Sequence, residues 1–281
     1  MEWRRIKNVI IAILLLLNGF LLVLVAFRRN ETIRYEQSAL DRTVQVLKLN
    51  GIEMSPDAVV VSAEAMQGTA ERSIALEKKL AGALLGAEAK DSNLGGGLYS
   101  YSAPAGTVSF RTGGEVTLRP ADDPRWYTDD PETHSAMLVA GMKLECRLHD
   151  VSLSEGNGTV SYLQLLEGNP LFSCRIVFMY EDGRLNGLSG TLLVTAEPEM
   201  EEGEFLNLPT VLMGFLDEVL TSGDVCSAIV SVEPGYLLNQ SFSNTVRLQP
   251  VWYISTNTAD YYSDGVTGKV TRVTQMMMTS E

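Results

Sequence analysis

The sequence is poor in the side chains that most often perform catalysis or hold metals. Its 281 residues include 2 histidines and 3 cysteines. His134 and His149 lack the spacing of a zinc site, and no two of the cysteines form a CxxC pair. The GxSxG motif of serine hydrolases is missing as well. We therefore predict no enzymatic activity and no catalytic, cofactor-binding or metal-binding residues, and we interpret Cys146, Cys174 and Cys226 as small buried hydrophobic side chains.

Two short segments are similar to ligand loops but depart from them. GVTGKVT, residues 265–271, has two residues between its glycines where a phosphate loop needs four, so it predicts a hairpin turn. DSNLGGG, residues 91–97, has its glycine one place early for a calcium loop and no closing glutamate. The acidic residues of 122–130 are typical of a solvated loop.

Positive charge is scarce beyond the first residues. The chain carries 22 Lys and Arg against 35 Asp and Glu. Five of these cations and one acid precede residue 30, which leaves 17 against 34 in the rest of the chain, a net charge of −17. A body this acidic repels phosphate, so we predict no nucleic-acid partner.

One long apolar segment stands near the start of the chain. No charged residue occurs from Val9 to Phe27, and basic residues flank the segment on both sides. A helix needs about 20 apolar residues to cross a hydrocarbon core of ~30 Å. The length therefore predicts one uncleaved transmembrane anchor. A cleaved signal peptide, whose apolar region is usually about 7–15 residues, is the alternative.

The acidic remainder favours a cytoplasmic amino terminus and an extracytoplasmic body, since the basic flanks alone do not decide the orientation. We therefore predict a single-pass protein of the cell membrane. Its cytoplasmic stub and anchor occupy residues 1–29. An acidic linker at 195–204 divides the body into a first α+β region, 30–200, and a carboxy-terminal module, 201–281. A further division of the first region near 121–130 is an alternative.

Beyond the anchor, helical patterns alternate with strand patterns. Helices are predicted over 32–50, over 70–86 and after Asp130, which caps a helix with Pro131 at its first position. Asn207 is predicted to cap a fourth helix. The buried stripe predicted for the third helix is Met137, Gly141, Leu144 and Leu148. The buried stripe predicted for the fourth helix is Val211, Leu212, Phe215, Leu216 and Val219.

Short apolar runs separated by Gly-, Asn- and Pro-containing turns predict the strands. Alternate residues from Phe172 to Tyr180 are apolar, which indicates a strand with one buried face. Pro250 lies inside another run and predicts an edge strand or a bulge there. Helix followed by antiparallel strands, at least twice, predicts an α+β fold of modules in which a helix packs on an antiparallel β-sheet.

Three segments carry a resemblance to the YycI family. The amino terminus reads MEWRRIKNVIIAILLLLNGFLLVLV, with the family's Met-acid-Trp start, basic Ile-Lys and apolar span containing an Asn. The carboxy-terminal VRLQPVWYISTNTADYYSDGVTGKV resembles the last module of that family, and its Asp-Gly-x-Thr-Gly hairpin is also similar to PepSY-type modules. The segment YLQLLEGNPLFSCRIVFMYEDGRL resembles the middle module of the same family. Residues 51–130 carry no diagnostic match.

The resemblance implies an accessory protein of an essential two-component system of Gram-positive bacteria. Members of the family lie in the cell membrane beside a sensor histidine kinase, WalK (also called YycG), and a sister protein, YycH. They tune the activity of the kinase, and with it the genes of cell-wall metabolism, substantially through the transmembrane helix. A WalK-like kinase and a YycH-like protein are therefore the expected partners.

The apolar segment contains small and polar residues that suit contact between helices. Ala12, Gly19 and Ala26 are seven residues apart and form one stripe. Asn18 lies next to this stripe, about 100° around the helix. Because lipid is as apolar as leucine, membrane helices associate through small residues and polar side chains. We predict that these four residues form a partner-binding face. The alternative is that the apolar segment merely tolerates Asn18.

Two other function classes remain open. One is an exported PepSY-type inhibitor or binding module that acts on another cell-envelope protein. The other is an anchored cell-envelope enzyme of unrecognised type. The body alone, residues 30–281, distinguishes these two classes and the accessory protein. An exported inhibitor keeps full activity without the anchor, the accessory protein loses much of it, and an enzyme shows turnover that depends on particular acidic residues or a cysteine.

Overall fold

The fold is a mixed α+β structure, as predicted. A computed structural model describes residues 7, 14–22, 37–60, 65–86, 89–201, 203, 205–240 and 245–273. The helices of its body are α1 (37–49), α2 (Ile74–Leu85), α3 (Pro131–Met142) and α4 (Leu208–Ser222). Its strands are β1 (Glu53–Met54), β2 (Gly68–Glu71), β3 (Lys90–Asn93), β4 (Tyr99–Ala103), β5 (Gly106–Phe110), β6 (Glu115–Pro120), β7 (Cys146–Ser154), β8 (Asn157–Leu166), β9 (Asn169–Glu181), β10 (Arg184–Thr191), β11 (Glu199–Met200), β12 (Ala228–Gln240), β13 (Thr245–Thr256), β14 (Asp260–Asp264) and β15 (Val270–Arg272).

Eight antiparallel strands form what we call the large sheet, in the order β7-β8-β9-β10-β6-β5-β4-β3. The predicted turns connect β7 through β10 as three tight hairpins. Each turn places an acidic residue and then a glycine at positive φ, which matches the twist of hairpin strands. These acidic residues are Glu155, Glu167 and Asp182. Because β6 pairs with β10, residues on both sides of 121–130 belong to this one sheet.

Helices α2 and α3 cover one face of the large sheet, and we call this unit the large lobe. The hydroxyl of Ser73 accepts a hydrogen bond from the Leu76 amide at the start of α2, and α2 buries Leu80 and Leu84. The indole N–H of Trp126, a fully buried residue, donates to the carbonyl of Ala105 at 2.7 Å. A continuous apolar core therefore lies between the helices and the sheet.

The second lobe consists of strands β12 to β15, with β1 parallel to β12, β2 beside β13 and β11 beside β2. Asn207 caps α4 through the Thr210 amide, and the whole predicted stripe of α4 is buried. Leu47 of α1 and Ile52 belong to the same core as α4. Residues near 50 and residues beyond 200 therefore build one lobe together.

The two lobes meet where β9 and β12 lie parallel, with Leu171 beside Tyr236. A small junction core surrounds this contact: Ala65, Ala70, Leu171, Cys174, Leu193, Tyr236 and Leu248. The predicted alternation of β9 is confirmed, because Cys174, Ile176, Phe178 and Tyr180 are all buried. The proposed domain limits at 29, 200 and near 121–130 stay predictions.

The buried stripe predicted for α3 is wrong. The helix ends at Met142, because Lys143 takes a left-handed conformation with φ 56°. Leu144 and Leu148 therefore lie beyond the helix and follow no helical period. The face of α3 that packs on the sheet carries Pro131, His134, Ser135, Val139 and Met142. The residues predicted to be buried but found exposed are Met137, Gly141 and Leu148.

The edge or bulge predicted at Pro250 is also wrong. Strand β13 has neighbours on both sides, and its register with β12 runs unshifted through Pro250. Its second neighbour changes there from β2, whose first residue Gly68 pairs with Leu248, to β14, whose last residue Asp264 pairs with Val251. The Pro250 carbonyl points to this side and accepts from the Gly265 amide at 2.8 Å. The proline nitrogen therefore faces the change of partner, where a missing N–H costs no ladder hydrogen bond.

Candidate functional site

The predicted partner-binding face lies partly outside the described residues. Ala12 and Ala26 are not described, whereas Asn18 and Gly19 lie in the helical stretch 14–22. The Asn18 side-chain amide donates to the carbonyl of Leu14, one turn earlier, at 2.9 Å. A Cβ built on Gly19 would meet no atom within 4 Å. Gly19 therefore leaves room for close approach by another helix.

The remaining side chains of 14–22 are apolar and exposed, and Leu15, Leu16, Gly19 and Phe20 line an open groove. Over the ranges that the structure describes, no helix is both long and apolar enough to cross a bilayer. The transmembrane anchor and its partner-binding residues stay predictions.

A second candidate site lies between the lobes, where Arg147 of β7 contacts Glu233 of β12. The two guanidinium nitrogens Nη1 and Nη2 donate to the two carboxylate oxygens at 2.6 and 3.0 Å. Such bidentate pairs fix orientation as well as distance. The Glu233 side chain is 10% exposed and the Arg147 side chain 46%. The hydrogen bonds to Glu233 raise the pKa of Arg147. We call this contact the inter-lobe ion pair.

An aromatic cluster lies beside the inter-lobe ion pair. Tyr253 stands opposite Glu233 in the register of β12 and β13, and Tyr262 stands opposite Tyr253. Phe172, from the start of β9, packs on both tyrosines with ring centroids 5.0 and 5.6 Å away. Burial, followed by the charge of Asp260, raises the pKa of Tyr262 to about 12. The cluster is therefore uncharged at neutral pH and packs one lobe against the other.

Gln164 forms two further hydrogen bonds next to the junction core. This buried amide donates to the Leu193 carbonyl at 2.9 Å, and its Oε1 accepts from the Leu193 amide at 2.8 Å. It therefore replaces a strand partner for the segment that leaves β10.

The two histidines lie in different environments. His134 is buried, with Nε2 at 3.0 Å from the Arg125 carbonyl and Nδ1 at 3.0 Å from the Tyr180 hydroxyl. A carbonyl can only accept, so Nε2 carries the proton and Nδ1 accepts from Tyr180. Burial lowers the pKa of His134, which keeps the ring neutral. His149 is exposed on β7.

The acidic and glycine-rich motifs act in turns and helix caps. Asp123 accepts from the Arg125 amide at 3.0 Å, and Asp130 caps α3 through the Thr133 amide at 3.1 Å, as predicted for Asp130. Asp264 accepts from two amides of the 265–269 turn, which is the predicted hairpin. In the described part of the chain, no three His, Cys, Asp or Glu side chains are grouped as metal ligands.

All three cysteines are free thiols. Cys174 is buried, whereas Cys146 and Cys226 are partly exposed, so the interpretation of three buried residues holds for Cys174 alone. Burial raises the pKa of Cys146 to about 11 and that of Cys174 to about 12. Because the thiolate is the reactive form, these two side chains are poor nucleophiles at neutral pH.

Sequence reasoning did not find the inter-lobe ion pair. Arg147 and Glu233 are 86 residues apart, and neither stands in a recognisable motif. A weak signal exists, because Glu233 interrupts the apolar run of β12, where an acid needs a partner if it is buried. Finding that partner requires the strand order, which a single sequence does not specify.

Comparison with known proteins gives likenesses to solved structures alone. No family model matches the chain, and no curated protein matches it. An uncharacterized protein from Eubacterium rectale ATCC 33656 is similar in structure at 12% identity and a TM-score of 0.45, over 79% of this chain and 90% of that chain. The Bacillus megaterium YpeB C-terminal domain gives 12% identity and a TM-score of 0.36, over 73% of this chain and 99% of that chain. Membership of the YycI family stays a prediction.

Proposed function

We propose that the protein is a membrane-anchored accessory regulator of a WalK-like (YycG-like) sensor histidine kinase, with a YycH-like sister protein as its second partner. The resemblance of both ends of the sequence to the YycI family supports this function. In this proposal the transmembrane helix contacts the kinase, the extracytoplasmic body contacts the sister protein, and the output is the expression of cell-wall metabolism genes.

The observation that carries the proposal is the position of α1, the body helix nearest in sequence to the predicted anchor. Leu47 is 0% exposed in the core of the second lobe, where it packs together with α4. After α1, the Ile52 amide returns to the Leu47 carbonyl at 3.0 Å, and β1 then joins β12. Close-packed cores transmit displacement rather than absorb it. A movement of α1 is therefore passed to the second lobe.

The inter-lobe ion pair and the aromatic cluster extend the mechanical connection of α1 from the second lobe to the large lobe. They connect β12 and β13 of the second lobe to β7 and β9 of the large lobe. A partner bound to either lobe can thus bias the position of α1. A regulator needs only such a bias, since coupling of about 1–3 kcal/mol between two sites changes an equilibrium about 5–150-fold.

Affinity purification of the tagged full-length protein from gently solubilised native membranes tests the proposal. We expect mass spectrometry to identify a sensor histidine kinase and a second single-span protein. Recovery of neither, in a detergent that preserves other membrane complexes, contradicts the proposal and favours the exported inhibitor or binding module. Full activity of residues 30–281 without the anchor leads to the same conclusion.

Two substitutions and a control test the predicted partner-binding face of the transmembrane helix. Gly19→Leu fills the small-residue stripe, and Asn18→Leu removes the carboxamide while preserving apolar length. Leu17→Ile is the matched control, because Leu17 lies about 160° around the helix from Gly19 and about 100° from Asn18. We expect both test variants to reduce co-purification of the kinase several-fold and the control to leave it unchanged. Equal recovery with all three variants argues against this face.

A further inference from the structure

A concave polar groove crosses the face of the large sheet opposite to α2 and α3. It encloses about 380 Å³ over β4, β5 and β6. Six of its nine lining residues carry a hydroxyl or a guanidinium group: Ser100, Thr107, Ser109, Arg111, Thr117 and Arg119. Because Ser109 and Thr117 are only half-exposed, the groove has depth, unlike a flat sheet surface.

The hydroxyls form a row that the strand register aligns. Ser100 stands opposite Ser109, Ser109 opposite Thr117, and Thr117 opposite Ser189. Ser92 extends the row to β3, opposite Ser100. Neighbouring strands lie about 4.8 Å apart, so these five hydroxyls span roughly 19 Å. Each hydroxyl both donates and accepts, which suits a ligand that carries many hydroxyl groups along its length.

The charge of the groove contrasts with that of the body. The Arg119 side chain forms no ion pair or hydrogen bond within the residues that the structure describes. Glu115, the acid of the lining, is held by Arg111 at 3.2 Å. Arg119 therefore gives the groove an uncompensated positive charge in a body whose net charge is −17. A free guanidinium offers paired donors to a carboxylate or a phosphate.

Other ligand classes fit the groove less well. No aromatic ring occurs among its lining residues, so it offers no stacking platform for a nucleobase or another planar ligand. Its apolar side chains, Leu94 and Leu98, lie on the segment before β4, apart from the hydroxyl row. We propose that the groove binds an acidic oligosaccharide, with the hydroxyl row facing the sugar hydroxyls and Arg119 facing the acidic group. This inference does not rest on the regulatory function proposed above.

Calorimetric titration of the full-length protein in detergent tests the proposal with three probes. They are an oligogalacturonate, a neutral malto-oligosaccharide of equal length, and inorganic phosphate. We expect the oligogalacturonate to bind at least tenfold more tightly than either of the others. A phosphate affinity equal to that of the oligogalacturonate identifies a simple anion site and overturns the proposal, as does failure of the oligogalacturonate to bind.

Three variants locate the binding. Arg119→Gln is expected to weaken oligogalacturonate binding about tenfold or more, because it removes charge-assisted hydrogen bonds. Thr117→Val keeps the side-chain shape and is expected to weaken binding about 2–10-fold. Arg247→Gln is the charge-matched control, since Arg247 is an exposed strand residue of the second lobe. Equal losses in Arg119→Gln and Arg247→Gln indicate long-range charge attraction and overturn the assignment to the groove.

Discussion

The inter-lobe ion pair allows a prediction in which the two partners contribute unequally. Arg147→Ala leaves the Glu233 carboxylate without its partner at 10% side-chain exposure. An unpaired, mostly buried charged group costs about 2–3 kcal/mol. Glu233→Ala instead leaves an arginine that is 46% exposed and regains water, so we expect a loss of about 1 kcal/mol or less. Removal of the arginine should therefore destabilise the protein more than removal of the acid.

The double variant completes the cycle. Arg147→Ala with Glu233→Ala should be about as stable as Glu233→Ala alone, which gives a coupling energy of about 2–3 kcal/mol, equal to the loss in Arg147→Ala. Urea unfolding of the full-length protein in detergent, followed by tryptophan fluorescence, measures the free energy of unfolding, because Trp126 and Trp252 lie in different lobes. Equal losses in the single variants, or additive losses in the double variant, would refute the reasoning from exposure.

Three further predictions concern the cores. Leu47→Ala should lower the free energy of unfolding by about 2–5 kcal/mol, and a loss below about 1 kcal/mol by urea unfolding would show that α1 is not part of the second core. Gln164→Leu should lower it by about 2 kcal/mol or more, since both backbone groups of Leu193 lose their partner; an unchanged urea midpoint contradicts this. Burial lowers the pKa of His134 in the folded protein. The neutral His134 ring therefore stabilises the fold fully above the ordinary histidine pKa of about 6.5, and this stabilisation is lost as the pH falls through the lowered folded-state pKa. Wild type should therefore lose more stability than His134→Gln between about pH 7 and pH 5, and parallel unfolding curves of the two proteins would contradict this.

Features set by neighbouring residues could be predicted from the sequence. Asp130 and Asn207 cap the expected helices because a cap needs only its own side chain and amides three residues later. The hairpins of the large sheet were predictable for the same reason, since their turn residues determine the conformation locally. Period two in β9 identified its buried face, because one sheet face dominates that strand.

Features set by distant residues could not be predicted. Nothing local indicates that β6 pairs with β10, or that Leu47 packs with α4 rather than with α2, the next helix in sequence. The face of α3 was mispredicted because Leu144 and Leu148 continue a helical spacing past the point where Lys143 ends the helix. The inter-lobe ion pair depends on all of these arrangements at once, so it was the part of the candidate site that the sequence predicted least.

In the proposed membrane role, the bond between Asn18 and the Leu14 carbonyl limits the strength of any partner contact. A carboxamide left unpaired in an apolar medium costs about 2–7 kcal/mol, which would make a partner obligatory. Because the helix itself accepts one of its hydrogens, the isolated helix avoids part of this cost. A bond to a partner helix then contributes near the lower end of the ~0.6–2 kcal/mol range, about threefold in an equilibrium constant. Such a bond is too weak to hold a complex but sufficient to favour one packing register over another. We therefore expect the rest of the transmembrane helix and the body to provide most of the affinity, and Asn18 to bias the state of the complex.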